Sequence, residues 1–349
     1  MTEDTHEDER TAPPAPDGCG VTHDAAAAPP GDDAARGAAP DRTAQDPATR
    51  DGAAQQGAHR IDAHCHLWRL SRGDYGWLTG EDSGDALAPI RRDFEPADLA
   101  TVTRRAGIHR AVAVQAAPTV DETYFLLRFA RETPLVAGVV GWADLSAPDA
   151  AATIAALAAD PALKGLRPML QDLPEDDWIT RRPTAAALAA MKAAALRFDA
   201  LVMPRHLAPL LRFLTAHPEL PAIIDHAAKP ALAARPDDPR HALWRDGMAA
   251  LGRETGALVK LSGLLTEMPP ATSAAEAATL LRPLLADLLE WFGPSRIVWG
   301  SDWPVLTLAA PYALWDETTT LLLADLSPDD RAAIQGANAA RFYGLEDAP

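Results

Sequence analysis

The chain has 349 residues, 48% of them hydrophobic, 23% charged and 6% aromatic, with a formal net charge of −17. That suffices for one large domain or two medium ones, and it leaves no basic stripe for nucleic acid or an anionic membrane. Two cysteines, Cys19 and Cys65, lie in no CxxC or framework spacing, so a disulfide scaffold is excluded and a reducing, cytoplasmic compartment fits.

Residues 1–58 carry 12 acidic and 4 basic side chains and contain no Leu, Ile, Phe, Trp or Tyr. Such a segment buries too little apolar surface to offset chain entropy, so it reads as a disordered acidic tail. Its start lacks the basic and apolar regions of a secretory signal. No run of 18 apolar residues follows that would span a membrane.

From His59 the texture changes to short apolar runs alternating with helical periodicity, which we read as one domain over 59–349. The predicted strands are 60–64, 110–115, 136–143, 164–169, 200–203, 222–225, 258–262 and 297–300. The predicted helices are 121–132, 148–159, 184–198, 207–217, 241–255, 274–291, 311–323 and 328–342. The last starts from Ser327 as N-cap with Pro328 in its first turn. Eight apolar strands in alternation with helices predict an α/β fold, the (β/α)8 TIM barrel. The long stretch 70–98 after the first strand is read as a loop at the C-terminal face, where such barrels build their sites.

The first strand ends in Ile61-Asp62-Ala63-His64-Cys65-His66-Leu67-Trp68. Residues two apart share a face of a strand, so His64 and His66 project together and Cys65 points toward the helices. Two imidazoles at that spacing suit a divalent metal or a pair of donors on a substrate carbonyl. The eighth strand runs Ile297-Val298-Trp299-Gly300-Ser301-Asp302 and leaves Asp302 just past its C-terminal end. The sixth, Ile223-Ile224-Asp225-His226, leaves His226 at the equivalent point, with Asp225 expected to turn away. His64, His66, His226 and Asp302 thus meet at one rim, a complete set for hydrolysis. A carboxylate takes a proton from water while imidazoles or a metal polarise the carbonyl under attack. Arg167 on strand four suits either bidentate binding of a substrate hydroxyl or carboxylate or a structural ion pair. Gln115, Trp68, Tyr75 and Gln171 are candidate pocket walls, and Lys260 is a candidate for a substrate contact or a carboxylate pair inside the barrel. Trp142 is expected in the core.

The segments IDAHCHLW, GDYGWL, RRDFEPADL, VAVQAAPTVDET, GVVGWADL, KGLRPMLQDLPEDDW, IDHAAKP, VKLSGLLTE, GSDWPV and NAARFYGL, in that order, span roughly Arg60 to Leu345. On them the chain resembles the amidohydrolase-related (amidohydrolase 2) family of the amidohydrolase superfamily, in the branch of sugar lactonases and 2-pyrone-4,6-dicarboxylate lactonase. The resemblance implies hydrolysis of a carbonyl ester or amide, most often a lactone, in a small-molecule substrate. Asp302 would then be the general base, and His64, His66 and His226 metal ligands or direct carbonyl polarisers. At most one divalent ion, zinc or manganese, is implied, with His64, His66 and Asp302 as its ligands. Relatives working without a metal are the other case. A two-metal site is not expected, because strand four offers Arg167 where a bridging Lys or Glu would stand, and His206 comes late, after Pro204. A metal-dependent decarboxylase on the same barrel and a non-catalytic binding barrel are the alternative readings.

Overall fold

The computed structural model describes residues 60–80 and 84–345, so the expected tail over 1–58 lies outside the described residues. Eight strands follow one another in space as in sequence, each parallel to the next. They are β1 (Ile61–Cys65), β2 (Arg110–Val114), β3 (Val136–Gly141), β4 (Leu163–Leu166), β5 (Arg197–Ala200), β6 (Ala222–Ile224), β7 (Leu258–Leu261) and β8 (Ile297–Trp299). Backbone bonds from Asp302 N to His64 O and from His66 N to Trp303 O, both 2.7 Å, tie the end of β8 to β1. The TIM barrel expected from the apolar runs is therefore the fold.

Inner and outer faces separate by alternation. Ile61, Ala63, Val112, Val114, Val140, Ile223 and Val298 pack together inside the barrel with Ala339, Phe342, Tyr343 and Leu345 of the C-terminal segment. Cys65, Ala111, Ala113, Phe198, Ala200, Val259, Leu261 and Trp299 belong to the larger core shared with the helices. The C-terminal segment closes the end where strands begin. Arg110 and Arg197, each the first residue of its strand, donate to Leu345 O and Phe342 O, and Lys164 Nζ reaches Gly344 O at 3.3 Å. The opposite, C-terminal face is left for chemistry.

The departures from the expected elements have local causes. β5 spans Arg197–Ala200, earlier than the expected 200–203. Its helix stops at Ala193, and Ala195 takes a left-handed φ of 51°. The charge at Asp199 masks a strand whose Phe198 and Ala200 face the helices. A helix over Pro96–Arg105 sits partly inside the expected 70–98 loop, and Asp98 accepts from the Glu95 backbone N–H at 3.0 Å. The expected helix 328–342 is helical over Pro328–Ala332 and Asn338–Tyr343, with a wider π turn over Ala333–Ala337 between them. No helix among the described residues is long and apolar enough to cross a membrane.

Candidate active site

β1 and the residue just past it deliver His64 and His66 to the mouth through an irregularity. The β1–β2 register shifts between Asp62 and Cys65, so Ile61, Ala63, His64 and His66 face inward while Asp62 and Cys65 do not. Cys65 Sγ contacts Val112 O at 3.4 Å. Asp62 accepts from Ser301 N at 2.8 Å and Tyr312 Oη at 2.9 Å, pinning β8 and a helix against β1.

Asp302 and His226 arrive by left-handed backbone. Asp302 has φ 61°, and His226, Ala227, Ala228 and Lys229 have φ between 47° and 59°. Each such non-glycine residue costs about 1–2 kcal/mol, so the surroundings must hold the turn. Trp244 Nε1 donates to Ala227 O at 2.6 Å and Lys229 N to His226 O at 2.8 Å. Two glycines make room. A Cβ on Gly300 would lie 2.7 Å from His64 Cβ, and one on Gly263, itself at φ 63°, would lie 2.5 Å from His226 Nδ1.

The four side chains converge as expected. His66 Nε2 is 3.2 Å from His64 Nε2 and 3.2 Å from Asp302 Oδ1. His64 Nε2 and His226 Nε2 lie 3.7 and 3.9 Å from that same oxygen. All are nearly enclosed: His64 is 0%, His66 4%, His226 4% and Asp302 5% exposed. His66 Nδ1 lies 2.8 Å from Val114 O, which can only accept, so Nδ1 donates there and turns Nε2 toward Asp302. His226 Nδ1 is held by Ser262 Oγ at 3.0 Å.

Burial pushes His226 down to about 4 and His64 well below the ordinary histidine value; Lys260 lowers His64 further and Asp225 opposes. Burial alone would raise Asp302, but His226, His66 and His64 outweigh it and hold the carboxyl below its usual range. At neutral pH the rim is an anionic Asp302 facing neutral His64 and His226. That is the protonation state both a divalent cation and a general base require.

The donor set fits one such cation. The His64, His66 and Asp302 ligand atoms form a triangle with edges of 3.2, 3.2 and 3.7 Å. Ligand atoms around a tetrahedral zinc with bonds of about 2.0–2.1 Å lie about 3.3 Å apart. A second constellation, His64, Asp225 and His226, is close enough in space to suggest another ion. The Lys260 ammonium already fills it, 3.0 Å from Asp225 Oδ1 and 3.1 Å from His64 Nδ1. A second cation would meet that charge, in accord with the one-ion expectation.

Several expected substrate contacts are placed differently. Lys260 is fully buried below His64 and bound to Asp199 at 2.6 Å, so of its two expected roles the structure selects the carboxylate pair. The Arg167 guanidinium donates to Gln115 O and lies 3.5 Å from Asp225 Oδ2, so it braces the barrel interior instead of offering a free fork. Gln115 Nε2 donates to Arg167 O at 2.7 Å and contacts Met169 Sδ at 3.1 Å. Trp68 and Tyr75 are both 0% exposed. Trp68 donates to Arg92 O at 2.7 Å and packs among Tyr75, Trp77 and Phe94, so it backs His66 from a ring distance of 6.4 Å instead of lining an open wall. Gln171 is half-buried in a turn after β4, where its carbonyl accepts from Arg205. Trp142, expected in the core, is half-buried and lines a cavity.

Asp225 is the chief residue the sequence reading missed. It is fully buried and faces inward, 3.5 Å from His64 Nδ1. Alternation from inward-facing Ile223 would have found it. His226 joins it on the same side only because the chain turns left-handed there. Asp199 falls between the expected helix 184–198 and the expected strand 200–203 and has no comparable signal.

Comparison with known proteins shows the family. Residues 61–345 match the family model described as amidohydrolase, and the chain belongs to that family. It is 43% identical over 295 residues to a protein named L-fucono-1,5-lactonase from Burkholderia ambifaria, covering 82% of this chain and 96% of that one. A protein of the same name from Burkholderia multivorans is 36% identical over 300 residues, covering 83% and 98%. Among solved structures, an amidohydrolase from Burkholderia multivorans with bound zinc superposes with a TM-score of 0.72 at 33% identity, covering 82% of this chain and 100% of that one.

Proposed function

We propose that this chain opens a sugar-acid lactone by hydrolysis, with Asp302 as general base. The observation that carries the reading is the convergence of Asp302 Oδ1 with the Nε2 atoms of His64, His66 and His226 at the barrel mouth. The 43% identity to an L-fucono-1,5-lactonase supports a 1,5-lactone of a six-carbon sugar acid as the substrate class.

Asp302 removes a proton from water as the water oxygen bonds to the lactone carbonyl carbon. Its contacts with the imidazoles all use Oδ1, which leaves Oδ2 for that proton. His226 Nε2, aimed into the site by Ser262, stabilises the oxyanion. Collapse of the tetrahedral species breaks the bond to the ring oxygen, and Asp302 returns the proton to that oxygen. The product is an open-chain hydroxy acid. His64, His66 and Asp302 would hold a divalent ion such as zinc or manganese, which would polarise the carbonyl and lower the pKa of water. Lys260 and Asp225 keep His64 oriented from behind. We place the enzyme in the cytoplasm, in keeping with Cys65 being free and buried.

A panel of 1,5- and 1,4-aldonolactones, followed by proton release, tests the reading. Turnover that falls by about 10²–10⁴ in Asp302→Asn is the expected loss of a general base. No turnover on any lactone, or equal rates in the two proteins, overturns it.

A further inference from the structure

A cavity of about 610 Å³ opens on the C-terminal face beside the reaction centre and contains none of His64, His66, His226 or Asp302. Its walls come from the segments after β1, β2, β3 and β4 and include the indoles of Trp77, Trp142 and Trp178 and the carboxylates of Asp74, Asp144 and Asp172. We propose, on the lactonase reading above, that this cavity is a subsite for a neutral glycosyl substituent carried by the lactone.

Position comes first. Met169, in the cavity wall, touches Gln115 Nε2 at 3.1 Å, and Gln115 in turn holds Arg167. Trp77, also in the wall, packs edge-on against Trp68 at 5.7 Å, and Trp68 lies 6.4 Å from the His66 ring. One aromatic layer thus separates the cavity from the metal-type triangle. On this proposal the reacting carbonyl sits at the triangle, and a group bonded to the reacting ring extends past that layer to the cavity.

Chemistry selects the group. The lining holds no lysine or arginine. Asp74 is balanced by Arg72 at 2.6 Å, but Asp144 and Asp172 are exposed and have no such cation in the wall. A carboxylated or phosphorylated substituent would therefore meet like charge without a counterion. Trp77 spends its N–H on Ala116 O at 2.8 Å and leaves ring carbon to the cavity. Flat apolar walls beside acceptor-only carboxylates match a pyranose, which offers a C–H face for the indoles and hydroxyl donors for the acids. The volume falls in the range of ligand pockets, about 300–1,000 Å³.

Three substrates sharing one 1,5-lactone test this: unsubstituted, bearing a neutral pyranosyl group, and bearing a uronosyl group. The neutral group is expected to raise kcat/KM about tenfold, chiefly through KM, which corresponds to about 1.4 kcal/mol. The uronosyl group is expected to give no gain. In Trp142→Ala, and separately in Trp178→Ala, the ratio of neutral-substituted to unsubstituted kcat/KM should fall to about one. A wild-type ratio at or below one overturns the proposal, as does a ratio that survives both substitutions. If no lactone turns over, the lactonase reading fails instead. Titration of the wild-type protein with a methyl pyranoside, read by tryptophan fluorescence, then still decides the subsite. Saturable quenching lost in Trp142→Ala supports it, and its absence in wild type overturns it.

Discussion

Replacing Lys260 by Met removes an ammonium from the centre of the barrel while keeping most of its stem. In the wild type two cations, Lys260 and Arg167, face two fully buried carboxylates, Asp199 and Asp225. Burial by itself would discharge Lys260, but Asp199 and Asp225 outweigh it and keep the ammonium charged. The variant leaves one cation for two anions, with Tyr343 Oη at 2.6 Å as the remaining donor to Asp199. Breaking a buried ion pair in this way costs about 3–5 kcal/mol, a large part of the about 5–15 kcal/mol available to a folded domain. Asp199→Asn in the same chain restores the balance of charge, so the double variant should recover about 2 kcal/mol of the loss. Urea unfolding followed by tryptophan fluorescence measures both. A loss under 1 kcal/mol for Lys260→Met, or a double variant that merely sums the two single losses, would show that the charges are not coupled as argued.

The glycine against His226 gives a sharper functional test. Gly263→Ala puts a methyl 2.5 Å from His226 Nδ1 at a φ of 63°, so kcat for lactone opening should fall at least tenfold with the fold intact by circular dichroism; a rate near wild type would contradict the packing. Stability should also depend on pH through Glu122, whose carboxyl burial pushes up to about 8 against the pull of the Ala117 and Ala116 N–H groups. A carboxyl raised on folding binds more protons in the folded state, so it stabilises below about 4.5 and that contribution fades as pH rises to about 8. The wild type minus Glu122→Gln difference in unfolding free energy, measured at pH 5, 7 and 8.5, should shift against the wild type with rising pH, and a flat difference would refute the assignment. Dialysis against a chelator should lower lactone turnover, with zinc or manganese restoring it; full activity in protein shown metal-free by elemental analysis would assign the polarising role to the imidazoles alone.

The barrel was legible because its inward face is made of residues that belong on strands. Ile61, Val112, Val140, Ile223 and Val298 fall in short apolar runs at regular spacing, each bounded by helical periodicity. Where charge enters that face the pattern breaks. Asp199, Asp225, Lys260 and Arg167 occupy inward positions that in most strands would be apolar, and the charge at Asp199 is why the apolar pattern places β5 late. Each charge is intelligible only once its partner is known, and the partners lie on different strands: Lys260 is 61 residues from Asp199 in sequence and 2.6 Å away in space.

The site itself was legible for the opposite reason, since it depends on residue types more than on backbone. Three histidines and an aspartate at or just past strand ends suggest hydrolytic chemistry whatever conformation delivers them. Yet alternation alone cannot bring Asp225 and His226, which are neighbours in sequence, to one side. The left-handed run from His226 to Lys229 does so, and it lets the carboxylate orient His64 from behind while the imidazole faces Asp302 from the front. If that reasoning is right, Ala227→Gly and Ala228→Gly, which relax a left-handed turn without touching either side chain, should raise stability at little cost to kcat. The same substitutions in an extended segment would destabilise. Unfolding free energies and initial rates for the pair, compared with wild type, therefore separate a turn imposed on the chain by the site from one the sequence adopts on its own.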